Sequence, residues 1–225
     1  MIATDGERTP DGAAGEPRAS AVAFITTEHF TLQGARAATT AESTGRASMF
    51  LASVSGGLVA WGLVATATGI GGAFFAFGLV LLPTVAFVGF VTFERTLQSG
   101  IEDLGYARRV ARLRAYYFDN APELAPYLLS IPPERRLDAQ GLRSGYVLQA
   151  FRTVAGMVGV ITAVLAGSEG GLAVAAAFDA PAAALASGCA VALAVLFGLV
   201  RYERLEWARA MTAPIADDEA PPPPT

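Results

Sequence analysis

An all-α membrane protein is the fold class this sequence predicts, with four transmembrane helices as two hairpins and a cytoplasmic helical segment between them. Three observations predict it. Only 16% of the residues are charged and 53% are hydrophobic, where a soluble domain carries about 25% charged residues. Two charge-poor blocks, 47–93 and 153–200, are each about twice the length that one span needs, since a helix rising 1.5 Å per residue crosses a core of about 30 Å in about 20 residues. The arginines fall into three groups separated by these blocks: four in 1–46, nine in 94–152 and three in 201–209. The mean hydropathy of +0.44 agrees.

The first block, Ala47 to Phe93, contains no charged residue. It is interrupted by Gly69-Ile70-Gly71-Gly72, a tight-turn signal, so two helices over 47–68 and 72–94 are expected. Pro83 inside the second predicts a kink. Thr153 to Gly167 is too short to span alone. The third helix is therefore expected to begin near 143–147 and enter the bilayer near Leu148, with Arg152 snorkelling at the inner interface. Gly167-Ser168-Glu169-Gly170-Gly171 is expected to end it. Asp179-Ala180-Pro181 reads as a helix start, Asp as N-cap with Pro in the first turn, giving a fourth span over about 180–200. The stretch 172–178 either extends that helix or lies against the outer interface.

Neither the Gly69–Gly72 nor the Gly167–Asp179 connection carries an arginine. The positive-inside rule then places the N-terminus, the central segment and the C-terminus in the cytoplasm, with the chain multi-pass in the plasma membrane. A signal peptide is the rival for the first span. It fails because a stretch with four arginines and six carboxylates precedes an apolar run longer than an h-region.

Five regions follow: a disordered tail over 1–26, a pre-span helix and first hairpin over 27–94, a cytoplasmic helical segment over 95–146, a second hairpin over 147–204, and a tail over 205–225 ending in Pro221–Pro224. The stretch 27–46 lacks proline and reads as a helix running into the first span. Glu94 to Tyr117 reads as a helix projecting from the second, with Tyr106, Val110, Leu113 and Tyr117 on one face. Asn120-Ala121-Pro122-Glu123 starts a short helix to about Leu129, and 134–142 is a polar loop.

Arg108, Arg109, Arg112 and Arg114 are the candidate contacts to anionic lipid or a protein partner. Against that stands their ordinary role as topology determinants, which is favoured because Glu102 and Asp103 pair some of this charge along the helix. All sixteen basic residues are arginine, a bias better explained by codon usage than by one phosphate-binding fork. One cysteine, Cys189, and one histidine, His29, exclude an intrachain disulfide and a Cys/His zinc site. Cys189 reads as a small packing residue. No Gly-rich phosphate loop and no aromatic–basic nucleic-acid pattern occurs. No cofactor, metal or nucleic acid is expected.

Gly89-Phe90-Val91-Thr92-Phe93-Glu94-Arg95 and Gly198-Leu199-Val200-Arg201-Tyr202-Glu203-Arg204 share Gly-x-Val-x-aromatic-Glu-Arg. Either a hairpin was duplicated, or aromatic and arginine anchors recur at an inner interface; the second is favoured. Small residues recur at four-residue spacing, Ala52, Gly56 and Ala60 in the first span and Gly188, Ala192, Ala194 and Gly198 in the fourth. Such faces pack helices within one chain or between chains.

An ionisable group deep in the bilayer marks a proton or ion path. None lies in 47–93 or 180–200, and Arg152, Glu169 and Asp179 are placed near interfaces, which argues against a coupled transporter. His29 stands alone, and Glu102 and Asp103 are adjacent and point apart, so no hydrolase or transferase site is visible. Two stretches, Glu28-His29-Phe30 through Arg46 to Leu51 and Glu102-Asp103-Leu104-Gly105-Tyr106 through Arg112 to Phe118, resemble an uncharacterised actinobacterial four-helix integral membrane protein family. The likeness covers roughly 25–205. It implies the same architecture, with the pre-span helix and the Arg/Tyr helix as family features packed together; it adds no activity, because the family has none assigned. The expected role is non-enzymatic: a scaffold, sensor or regulatory subunit whose partners are membrane lipid and a protein docked on the cytoplasmic helices. The alternative is a pore-forming, channel-like homo-oligomer.

Overall fold

The charge-free run breaks where its glycines allow it. The computed structural model describes residues 15–120, 153–178 and 180–213, all in four helices and the short links between them. These are α1 (Gly15–Thr68), α2 (Gly72–Asn120), α3 (Val154–Ala177) and α4 (Pro181–Thr212). All four are long and apolar enough to cross a membrane. The expected boundary between the first two spans falls at the observed one. Gly69 takes the left-handed conformation (φ +70°), which an L side chain resists, and its N–H closes α1 on the Ala65 carbonyl.

Helices α1 and α2 are far longer than a bilayer requires. Their 54 and 49 residues give lengths of about 81 and 74 Å, against a core of about 30 Å. The pre-span stretch 27–46 continues into the span without a break, as expected. The expected tail over 1–26 is corrected in part: helix begins at Gly15, where Glu16 and Pro17 stand in the first turn and suit a helix start. Helix α2 likewise runs on through Pro83 and past Arg95 to Asn120. The expectations for Ala121–Leu129, for 134–142, for a helix entry at 143–152 with Arg152, for Asp179 and for the C-terminal prolines lie outside the described residues.

The third span differs from its expectation. Helix α3 starts at Val154 with Thr153 as N-cap, whose hydroxyl accepts from the Gly156 N–H. It does not stop at Gly167–Gly171 but runs through that stretch to Ala177. The connection to α4 is only Phe178–Ala180, and the N-cap of α4 is Ala180, with Pro181 in the first turn. The stretch 172–177 therefore belongs to the third helix. The glycines expected to break α3 instead form its contact surface. A Cβ on Gly167 would lie 2.6 Å from both the Gly188 carbonyl oxygen and the Ala192 Cβ, and one on Gly171 would lie 3.0 Å from the Ala184 carbonyl oxygen. Ser187 on α4 donates to the Gly170 carbonyl at 3.1 Å across the same contact. In lipid, where apolar burial gives no drive for helices to associate, such backbone approach supplies the contact.

The helices form a row rather than a closed bundle. Each packs along the next in sequence, while α1 meets α3 and α2 meets α4 at only a few positions. Within the apolar windows, 28% of α2 and 39% of α3 is buried but only 6% each of α1 and α4. Helix α2 runs back along α1: Trp61 stacks on Phe74 (centroids 4.8 Å apart) and donates to its carbonyl, Gly57 faces Leu81, and Phe50 faces Gly89. Helix α3 joins at the same level, since Gly89 also abuts the Thr162 hydroxyl and Gly159 abuts the Phe93 ring. Phe50, Leu82, Val158 and Thr162 are the most deeply buried side chains there.

The small-residue faces divide accordingly. Gly188 and Ala192 pack on α3, but a Cβ on Gly56 or on Gly198 would meet nothing within 4 Å. Cys189 is exposed on α4 and is not a packing residue. Gly167→Val should overpack the α3–α4 contact at a cost of about 1–3 kcal/mol. In a domain of this size each kcal/mol lowers Tm by about 2–4 °C. Gly198→Val should leave Tm unchanged. Thermal unfolding in detergent followed by circular dichroism checks both, and equal Tm values for the two variants would contradict this packing.

Candidate functional site

Beyond the apolar windows, on the side where the arginines lie, the helix ends are tied by charge. Arg36 of α1 holds Asp103 of α2 with two bonds, Nε to Oδ1 at 2.7 Å and Nη2 to Oδ2 at 2.9 Å. Such bidentate pairs fix geometry as well as supplying energy. Further along, Leu32 of α1 and Val110 of α2 are both buried, so the face expected to carry Tyr106, Val110 and Leu113 is the one that packs on α1. On the other side of the Arg36–Asp103 pair, toward the apolar windows, the seam is hydroxylic, with Thr39 and Ser43 on α1 and Thr96 and Ser99 on α2, all buried.

The four arginines singled out in the sequence do not form one fork. Arg108 donates from Nη1 to the Ala210 carbonyl at 2.9 Å and from Nη2 to the Met211 carbonyl at 3.0 Å. These are among the carbonyls a helix leaves without an internal partner at its C-terminus, where a cation also meets the negative end of the helix dipole. Arg108 thus fastens the end of α4 to α2. Arg109 is exposed, Arg114 is half-buried, and Arg112 is exposed but engaged in an interaction of its own.

A cavity of about 210 Å³ opens where the start of α3 and the C-terminal part of α4 meet the middle of the α1–α2 seam. Its wall takes in the hydroxylic seam, Gly100 and Asp103 of α2, Thr153 and Ala155 of α3, and Glu203 and Trp207 of α4. The Trp207 ring edge reaches within 3.4 Å of where a Gly100 Cβ would stand. Thr39 donates to the Arg36 carbonyl, Thr96 to those of Thr92 and Phe93, and Ser99 to that of Arg95. Their protons are therefore turned into their own helices, and the wall that remains is mostly carbon.

Glu203 is the exception. It lies just past the fourth expected span, is only 3% exposed, and receives one hydrogen bond, from the Thr153 hydroxyl to Oε1 at 3.2 Å. Its Oε2 is buried with no partner. Burial pushes its pKa up, and the Thr153 hydroxyl and the Arg204 charge pull partway back. Sequence reading gave Glu203 no role beyond its place in the weak repeat. The legible signal was its spacing: Leu199, Glu203 and Trp207 stand at i, i+4 and i+8, which puts a carboxylate on the packing stripe of α4. The matching Glu94 of the weak repeat is exposed, and Gly89 is packed where Gly198 is open. The two copies occupy unlike environments, as recurring anchors would and a preserved duplication would not.

Glu169, expected near an interface, lies inside α3, eight residues before its end at Ala177. It falls between Leu165 and Leu172 on the heptad-spaced face that packs on α2 and is half-buried. His29 Nδ1, on the long extension of α1, is buried and without a partner. Among the described residues no three His, Cys, Asp or Glu side chains lie close enough to share a metal ion. In comparisons with known proteins, no family model, curated protein or solved structure matches the chain.

Because the folded chain holds the Glu203 proton more tightly than the unfolded chain, this group's contribution to stability is present below its ordinary value of 4.5 and is lost as pH rises through the raised value. Glu203→Gln keeps an acceptor for Thr153 and removes the charge. At neutral pH it should raise Tm by about 2–4 °C, with the gain vanishing toward pH 4. Thermal unfolding from pH 4 to 8 measures this, and a gain independent of pH would exclude the buried carboxylate as its source.

Proposed function

We propose that this chain is a non-enzymatic, multi-pass protein of the bacterial plasma membrane, a scaffold, sensor or regulatory subunit that presents a rigid helical stalk to the cytoplasm. One observation carries the reading: α1 and α2 each run well over twice the length of a span, and their excess lengths pack on each other. A loop would suffice to join spans. A paired extension of about 40 Å, bolted by Arg36–Asp103, is instead the form of a platform that holds a partner at a set distance from the membrane. Orientation rests on the arginines, which place the stalk and both termini inside. The resemblance to a four-helix membrane protein family supports the same architecture. Arg109, exposed on the stalk, is the arginine best placed for anionic lipid or a partner.

The uncovered faces of α1 and α4 favour a second reading, a homo-oligomer whose chains meet there and which, in its sharper form, encloses a pore. Two measurements decide. In a Cys189→Ala background, Ile70→Cys should react with an impermeant maleimide in intact cells, and Gly105→Cys only after lysis; the reverse pattern would overturn the topology. Liposomes containing the purified chain should retain an ion-sensitive dye as well as empty liposomes do. Leak that scales with protein content would favour the pore and sink the scaffold.

A further inference from the structure

The cavity at the converging helix ends has a chemistry of its own, independent of what the stalk docks. We propose that it binds a small organic monocation, an alkyl- or arylammonium ion, with the nitrogen on the Glu203 carboxylate and the carbon body against Trp207 and the threonine methyls.

Charge sets the sign of the ligand. A buried carboxylate is costly unless it is paired and hydrogen-bonded, yet Glu203 Oε2 has no partner while Oε1 has a single hydroxyl. Among the described residues no basic side chain lines the cavity. From α4 itself Arg204 lies beside Glu203 in sequence and is exposed, and from α1 and α2 the facing charges, Arg36 and Asp103, are joined to each other. At the start of α3 the Thr153 hydroxyl donates to the carboxylate. A cation carried by the ligand supplies what the chain does not.

The wall sets the rest. The Thr39, Thr40, Thr96 and Ser99 hydroxyls donate to carbonyls of their own helices and Thr153 donates to Glu203, so these groups offer a ligand acceptors and carbon. That excludes an anion, and it ill suits a hard metal ion, which needs about six oxygen ligands. Carbon surface beside an indole and a carboxylate is the combination that holds ammonium ligands. At about 210 Å³ the cavity is smaller than drug-sized sites of about 300–1,000 Å³, which limits the ligand to one ring or a short chain. Because the ligand and a proton compete for Glu203, binding should strengthen as pH rises.

The full-length protein in detergent tests this, in a Trp61→Phe background where Trp207 is the one remaining tryptophan. Titration with benzylammonium chloride at pH 8 should change Trp207 emission saturably. Glu203→Gln should weaken that binding at least tenfold, and Ser43→Leu, which fills the cavity but leaves the carboxylate, should abolish it; the circular dichroism of both variants should match the parent. Benzyl alcohol, the same shape without the charge, should give no saturable change, and neither should sodium chloride at equal ionic strength. A saturable response to benzyl alcohol, a response reproduced by sodium chloride, or equal affinity in Glu203→Gln would overturn the proposal, as would the absence of any saturable response to benzylammonium in the parent.

Discussion

The backbone approach of α3 to α4 is the contact on which the remaining geometry depends. Gly167, Gly171 and Gly188 bring the two backbones together, and van der Waals contact at that range replaces the hydrophobic drive that lipid does not supply. With α3 held against α4, its N-cap Thr153 arrives at Glu203. With α3 also held on α2 through Gly89 and Gly159, the C-terminal part of α4 comes close enough to α2 for Trp207 to meet Gly100 and for Arg108 to reach the Ala210 and Met211 carbonyls. The cavity is what remains where α1, packed only on α2 for most of its length, meets this wedge of converging ends.

How much of this could be read in advance depended on what each glycine does. Gly69 ends a helix because it follows a full span and adopts a left-handed backbone, so the 68/72 boundary was legible from position and residue type. Gly167, Gly170 and Gly171 carry the same punctuation but sit in the interior of α3. In water, such a cluster costs about 1 kcal/mol per residue and breaks helices. In a bilayer, the backbone has no water to turn to, and the missing side chains become room for a neighbour. The pattern that distinguishes the two cases is complementarity: Gly167 and Gly171 stand four apart, as do Gly188 and Ala192, and the two pairs mesh. Reading them as a stop also misplaced Glu169, because the helix was expected to end where the glutamate stands.

The charged residues show the same division between type and position. Counting arginines groups the charged segments that flank the apolar blocks, because that signal is a sum over many residues. It could not separate Arg108, turned onto a helix end, from its neighbour Arg109, exposed to solvent, since the difference comes from a partner about a hundred residues away. Glu203 was hidden by its resemblance to Glu94. The two share a local motif, yet one is exposed and one is buried, because only the fourth helix turns that face toward α3.

The stalk and the cavity pose opposite demands on one seam. An antiparallel pair of helices holds together most strongly with large apolar residues at the shared face, and α1 and α2 supply these at Leu32 and Val110 and again at Phe50 and Leu82. Between them, where Thr39, Ser43, Thr96 and Ser99 replace them, the seam gives up packing volume. The Thr39, Thr96 and Ser99 hydroxyls, bonded to carbonyls of their own helices, are satisfied there without filling the space. The Arg36–Asp103 bridge stands at the outer edge of this gap and compensates for the packing it lacks. A chain selected for stalk stiffness alone would close the gap with leucine. Here the gap stands beside a carboxylate oxygen with no hydrogen-bond partner, an arrangement a binding site requires and a spacer does not.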